Sequence, residues 1–128
     1  DGKKFTSKPD QPTKAFIGGN VSLVWRYYQP SHLTLKKVVF GEWTSSPGFV
    51  FPKIMTINTT AKSTSFSPGR YKSRVSWAGN FSASQVAFVL HNIQPADDKV
   101  VFGIHLEFGY MHNPLLGYVQ MKVEKKRM

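Results

Sequence analysis

The sequence predicts an all-β domain, a sandwich or barrel of short antiparallel strands. Three observations carry this. Apolar and polar residues alternate over several short runs. Turn signals rich in Gly, Pro, Ser and Asn recur between those runs, at the spacing of about 8–12 residues that such folds show. No segment carries the three-to-four-residue apolar spacing of a long amphipathic helix.

Residues 1–14 are polar and contain Pro9 and Pro12, so a flexible N-terminal leader is expected there, with an edge strand after it. A short apolar piece, Ala15 to Ile17, ends at Gly18-Gly19. Across residues 21–28, Val21, Leu23, Trp25 and Tyr27 point one way and Ser22, Val24, Arg26 and Tyr28 the other. Pro30 and Ser31 break that run, and a second strand is expected over residues 37–43, with Val38 and Phe40 on one face. Ser45 to Gly48 is a turn, and residues 49–57 hold one or two strands interrupted at Pro52. Ser67-Pro68-Gly69 is another turn. A strand follows over residues 71–77, then one with Val86, Phe88 and Leu90 facing inward. Pro95 to Asp98 turns the chain. The strongest strand then alternates Val100, Phe102, Ile104, Leu106 and Phe108 against Val101, Gly103, His105 and Glu107. Residues 109–117 are expected to be a loop around Asn113-Pro114, and residues 118–124 the last strand. The resulting division is a leader over 1–14, one domain over 15–124 and a basic tail over 125–128.

The chain of 128 residues is long enough for one real core. Its 41% hydrophobic and 19% charged content is globular. No run approaches the about 18 apolar residues of a membrane span, so none is expected within this stretch, and no signal peptide stands at Asp1; an excised piece of a larger, membrane-anchored protein is compatible with both. The absence of cysteine excludes disulfides and thiolate chemistry. Alone it leans toward a reducing compartment. Three N-x-S/T sequons, at Asn20, Asn58 and Asn80, lean toward the extracellular side of a membrane or secretion.

Two stretches resemble the variable-type (V-set) immunoglobulin domain. Val86 to Ile104 is similar to the family's strand E, short turn and strand F, which carries Asp-x-Gly/Ala-x-Tyr-x-Cys. Asp98 stands at the Asp, Val100 at the Gly/Ala, Phe102 at the Tyr and Ile104 at the Cys. Gly19 to Trp25 is similar to strand B, with Trp25 at the other Cys, and Phe40 falls where the family's core Trp belongs. Both cysteines, the core Trp and the corner Tyr are thus replaced. Arg74 resembles the Arg that pairs with the Asp of the E–F turn, which makes Asp98 its partner. The resemblance implies an immunoglobulin-like β-sandwich with two antiparallel sheets and Greek-key connections, lacking the B–F disulfide. Trp25, Phe40, Phe102 and Ile104 would form its structural core. A fibronectin-like or adhesin sandwich is the alternative.

No phosphate loop, His-Glu-x-x-His or nucleophile elbow is present, so neither an enzyme nor a cofactor is expected. None of His32, His91, His105 and His112 pairs with another at metal-ligand spacing. The resemblance implies recognition or adhesion through the front (GFCC′) sheet of a cell-surface receptor. The residues expected to meet a protein partner, itself or another, are Trp43, Phe49, His105, Glu107, Tyr110, Met111, Leu115, Leu116 and Tyr118. Aromatic residues and Met are enriched in interface cores. The net charge of +10 supplies a second reading, a module for anionic glycan built on Lys36, Lys37, Lys53, Lys62, Arg70, Lys72 and Arg74. No nucleic-acid motif accompanies those residues. A structural spacer domain is the third.

Overall fold

The computed structural model describes residues 2–44, 49–59, 63–66, 69–109 and 112–125. Ten strands appear in the order β1 (Lys4–Ser7), β2 (Thr13–Phe16), β3 (Val21–Tyr28), β4 (Lys37–Thr44), β5 (Phe49–Asn58), β6 (Ser63–Phe66), β7 (Val75–Trp77), β8 (Gln85–Leu90), β9 (Val101–Glu107) and β10 (Leu115–Glu124). Two single 3-10 turns, Phe81–Ala83 and Pro95–Asp97, lie on either side of β8. The strands make a four-stranded sheet ordered β1-β3-β8-β7 and a six-stranded sheet ordered β2-β10-β9-β4-β5-β6. All pairings are antiparallel except β2 with β10.

Alternation places the core between the sheets. Leu23 and Trp25 of β3 and Val86, Phe88 and Leu90 of β8 face Val38 and Phe40 of β4 and Phe102, Ile104 and Leu106 of β9. Trp25, Phe102 and Ile104 are fully buried, and Phe40 is nearly so. Phe40 stacks on Phe88 at 4.3 Å and on Phe102 at 5.4 Å between ring centroids. Phe102 meets the edge of Tyr71, and Phe88 the edge of Trp77. Offset and edge contacts of this kind add about 0.5–1.5 kcal/mol per pair beyond burial.

The structure departs from the expected elements at five places. Residues 4–7 of the expected leader form β1 on the edge of the four-stranded sheet, where Lys4 pairs with Tyr28 and Phe5 with Tyr27. Phe5 packs on the core, which gives this polar segment one apolar anchor. Thr13 and Lys14, also in the expected leader, open β2 and join the other sheet beside β10. Pro52 does not end β5; the ladder skips from Gly41–Lys53 to Trp43–Val50, so the residue without an N–H sits in an irregularity. The strand expected over residues 71–77 shrinks to Val75–Trp77, because Lys72 and Arg74 bond back to Gly69 and Tyr71 in a turn. The final strand starts at Leu115, since Leu115 and Gly117 pair with Leu106 and Ile104.

The expected Arg74–Asp98 pair is also corrected. Arg74 binds Asp97, through Nη1 at 3.3 Å and a second, shorter contact from Nη2. Asp97 closes the 3-10 turn with its carboxylate turned inward, 1% exposed, where it also accepts the Gln94 N–H at 2.8 Å. Arg74 further donates to the carbonyls of His91 and Asn92. Asp98 points the other way, exposed, and accepts the Val123 N–H at 2.9 Å. Lys99, between the turn and β9, takes a left-handed conformation, φ 66°.

Chemical denaturation tests this assignment. Asp97→Ala strands a largely buried guanidinium and is expected to cost about 3–5 kcal/mol. Asp98→Ala removes one exposed hydrogen bond and is expected to cost about 1 kcal/mol. Equal losses would reverse the assignment.

Candidate functional site

The outward residues of β4, β9 and β10 form one surface, and register places them in rows. Val39, His105 and Leu116 make one row; Gly41, Gly103 and Tyr118 make the next. Lys37 and Glu107 pair beside the first row, with Nζ to Oε2 at 3.4 Å. Both partners are over a third exposed, so this pair contributes at most about 1 kcal/mol.

Glycine 103 shapes the centre. A Cβ there would lie 2.8 Å from Cε3 of Trp43, so the missing side chain is the seat of the indole. Trp43 in turn stacks on Tyr118, with centroids 5.0 Å apart and planes at 24°. Tyr118 is nonetheless 54% exposed, among the most exposed large apolar side chains of the described residues. A flat aromatic pair, held from below by backbone, is thus presented to solvent.

His105 lies beside this pair, half-buried over the sheet. Burial lowers its pKa from 6.5, with Lys37 and Lys53 acting in the same direction and Glu107 opposing. The imidazole is therefore held neutral further into acid than in an unfolded chain. Val39, its neighbour on this outer face, is only 4% exposed.

Not all the expected contact residues meet on this face. Trp43, His105, Glu107, Leu116 and Tyr118 do. Leu115 turns inward and packs on the core, because it is paired with Leu106. Phe49 opens β5, paired with Thr44, and its side chain lies outside the described residues. Tyr110 and Met111 also lie outside them. Val39 and Gly103 are additions to the contact set; the alternation of β9 had already put Gly103 on the face of His105 and Glu107.

Two of the described basic residues lie at opposite ends of β9. Lys37 lies at one end of β9, paired with Glu107. Arg74 is bound to Asp97 beyond the other end, about 20 Å away along a strand of this length. Arg70 lies over the Tyr71 ring at 4.6 Å. Lys36, Lys53 and Lys72 are exposed, and Lys62 is outside the described residues. Of the sequons, Asn20 and Asn80 are exposed in turns, and Asn58 closes β5. Asn20 accepts the Asn92 N–H, and Asn80 accepts the N–H of Ser82. Among the described residues, no group of three or more His, Asp or Glu is placed to hold a metal ion.

A second concavity lies at one end of the sandwich. It is a cleft of about 590 Å3 lined by Tyr27, Leu35, Ile57, Trp77 and Phe81, with Gln29, Thr34, Asn58, Thr59 and Thr64. Its walls come from five separate segments, and no sequence motif announces it.

Two sheets of four and six strands, joined in this order around one core, define an immunoglobulin-like β-sandwich. No family model and no curated protein matches the chain. Among solved structures it is similar to murine CRIg, with a TM-score of 0.74 at 12% identity, covering 98% of this chain and 100% of that one. At that identity the likeness is one of fold.

The His105 environment has a pH consequence. A His whose folded pKa is lowered binds fewer protons folded than unfolded, so stability is full above about pH 6.5 and falls as the pH drops through the lowered value. In urea titrations across that range, His105→Gln is expected to flatten the acid-side slope. An unchanged slope would mean that His105 is free to charge in the folded state.

Proposed function

We propose that this domain is a variable-type immunoglobulin-like recognition module of a cell-surface or secreted protein. It docks a protein partner, a second copy or a different surface protein, through the outer face of β4, β9 and β10 and the 109–117 loop. The observation that carries this is the exposed Trp43–Tyr118 stack seated on Gly103. Interface hot spots favour such rigid aromatic anchors, which lose little side-chain entropy on binding. The variable type is supported by β5 and β6, which extend the sheet beyond β4, and by β2 lying parallel to β10. An extracellular setting is supported by the exposed sequon residues Asn20 and Asn80.

The mechanism is reversible docking without chemistry. Hydrophobic contact over Tyr118 and Leu116 provides affinity. The Lys37–Glu107 pair and His105 supply polar direction at the edge, where charges act more on specificity and encounter than on strength. Protein binding is favoured over anionic glycan because Lys37 and Arg74 lie at opposite ends of β9 and are paired with Glu107 and Asp97, and Arg70 lies over the Tyr71 ring.

The test uses Tyr118→Ala, with Tyr28→Ala as control. Tyr28 is 51% exposed on the opposite sheet. Self-association is measured by sedimentation, and heterophilic binding by multivalent domain on partner-bearing cells. Tyr118→Ala is expected to weaken binding at least about tenfold, or 1.4 kcal/mol, without lowering Tm. Wild-type binding by Tyr118→Ala in both assays would overturn the proposal.

A further inference from the structure

The cleft at the end of the sandwich is separate from the outer face and has a chemistry of its own. Three aromatic residues, Tyr27, Trp77 and Phe81, and two aliphatic ones, Leu35 and Ile57, form its apolar walls. Trp77 and Phe81 stack at 5.0 Å and 30°, and Gly79 lets the indole fold back beneath the backbone, where a Cβ would approach it to 2.4 Å. The remaining described lining residues are amides and hydroxyls. The Tyr27 ring is almost wholly buried, yet its hydroxyl makes no hydrogen bond to a described residue, and neither do those of Thr34 and Thr64. Gln29 is held in place by donating to the Leu33 carbonyl at 2.6 Å, which leaves its own carbonyl oxygen as an acceptor.

Charge decides the ligand class. The chain carries 17 Lys and Arg, yet none is among the described lining residues, and neither is an Asp or Glu. Among the described lining residues an anion would find no cation, and a cation no carboxylate. A purely apolar ligand would desolvate the Tyr27, Thr34 and Thr64 hydroxyls and the Gln29 carbonyl oxygen without pairing them, which is costly. The complement of aromatic faces plus uncharged donors and acceptors is a ring with an apolar C–H face and a hydroxyl edge. The volume lies within the about 300–1,000 Å3 typical of ligand clefts.

We infer that this cleft binds a neutral saccharide unit, stacked on the aromatic wall and hydrogen-bonded by the Tyr27, Thr34 and Thr64 hydroxyls and the Gln29 amide. Two sources share that chemistry: a glycan on a partner, or the glycan of this chain's own sequon at Asn58, which is itself a lining residue.

The probe is N,N′-diacetylchitobiose, titrated into unglycosylated, isotope-labelled domain and followed by the three Trp indole N–H resonances. A saturable shift confined to the Trp77 resonance is expected, with millimolar affinity, or about −4 kcal/mol. Trp77→Ala should abolish it. Thr34→Trp, at an exposed rim position that leaves the core untouched, should weaken it at least tenfold. Tyr118→Ala should leave it unchanged, which separates this site from the docking face. Glycosylated protein then distinguishes the sources. Refractory glycosylated wild type with binding restored by Asn58→Gln indicates the chain's own glycan; unaltered binding indicates a partner's. No saturable shift in the unglycosylated domain, or a shift that survives Thr34→Trp, would overturn the inference.

Discussion

The fold depends on how Trp25 is accommodated. This residue stands at the centre of β3 and is fully buried. Its indole nitrogen reaches across the sandwich to β10 and would lie 3.0 Å from a Cβ on Gly117. Gly117 is paired with Ile104 of β9, and Ile104 with Phe40 of β4. The space between the sheets beside Gly117 is therefore filled by one large side chain, made possible by the absence of another. A disulfide stabilises by about 2–5 kcal/mol, chiefly by restricting the unfolded chain. Burial of a large apolar side chain contributes about 2–3 kcal/mol, and only in the folded state. The magnitudes match, but the packed solution is sensitive to shape in a way that a covalent link is not.

That packing also sets the outer face of β4, β9 and β10. With Phe102, Ile104 and Leu106 locked inward, period-two alternation forces Gly103, His105 and Glu107 outward. Gly103 then receives Trp43, and Trp43 supports Tyr118. A slip of one residue in β9 would exchange core and surface together. The outer face proposed for recognition and the core are thus two sides of one register.

Much of this was legible in the sequence. The alternation in residues 21–28 and 100–108 named both central strands and their faces, because period-two burial leaves a direct imprint. Boundaries were less legible. Asn113-Pro114 and Gly117 read as one loop, although Gly117 is a strand residue whose small size serves Trp25 rather than a turn. The Arg74 partner was displaced by one position, because the turn directs Asp97 inward and Asp98 outward, which no spacing rule reveals. β1 was hidden because an edge strand with a single anchor, Phe5, has little alternation to show. Leu115 and Leu116 looked alike until pairing with β9 sent them to opposite faces. The cleft was invisible because its lining is contributed by segments far apart in the chain.

The most direct measurement is a double-mutant cycle between Gly117→Ala and Trp25→Phe, read by equilibrium unfolding. In the native background Gly117→Ala forces a methyl against the indole and the Phe5 ring, and is expected to cost about 1–3 kcal/mol. In the Trp25→Phe background, where the smaller ring vacates that space, the cost is expected to fall by at least about 1 kcal/mol. A near-neutral Gly117→Ala, or two effects that simply add to within about 0.5 kcal/mol, would contradict the account.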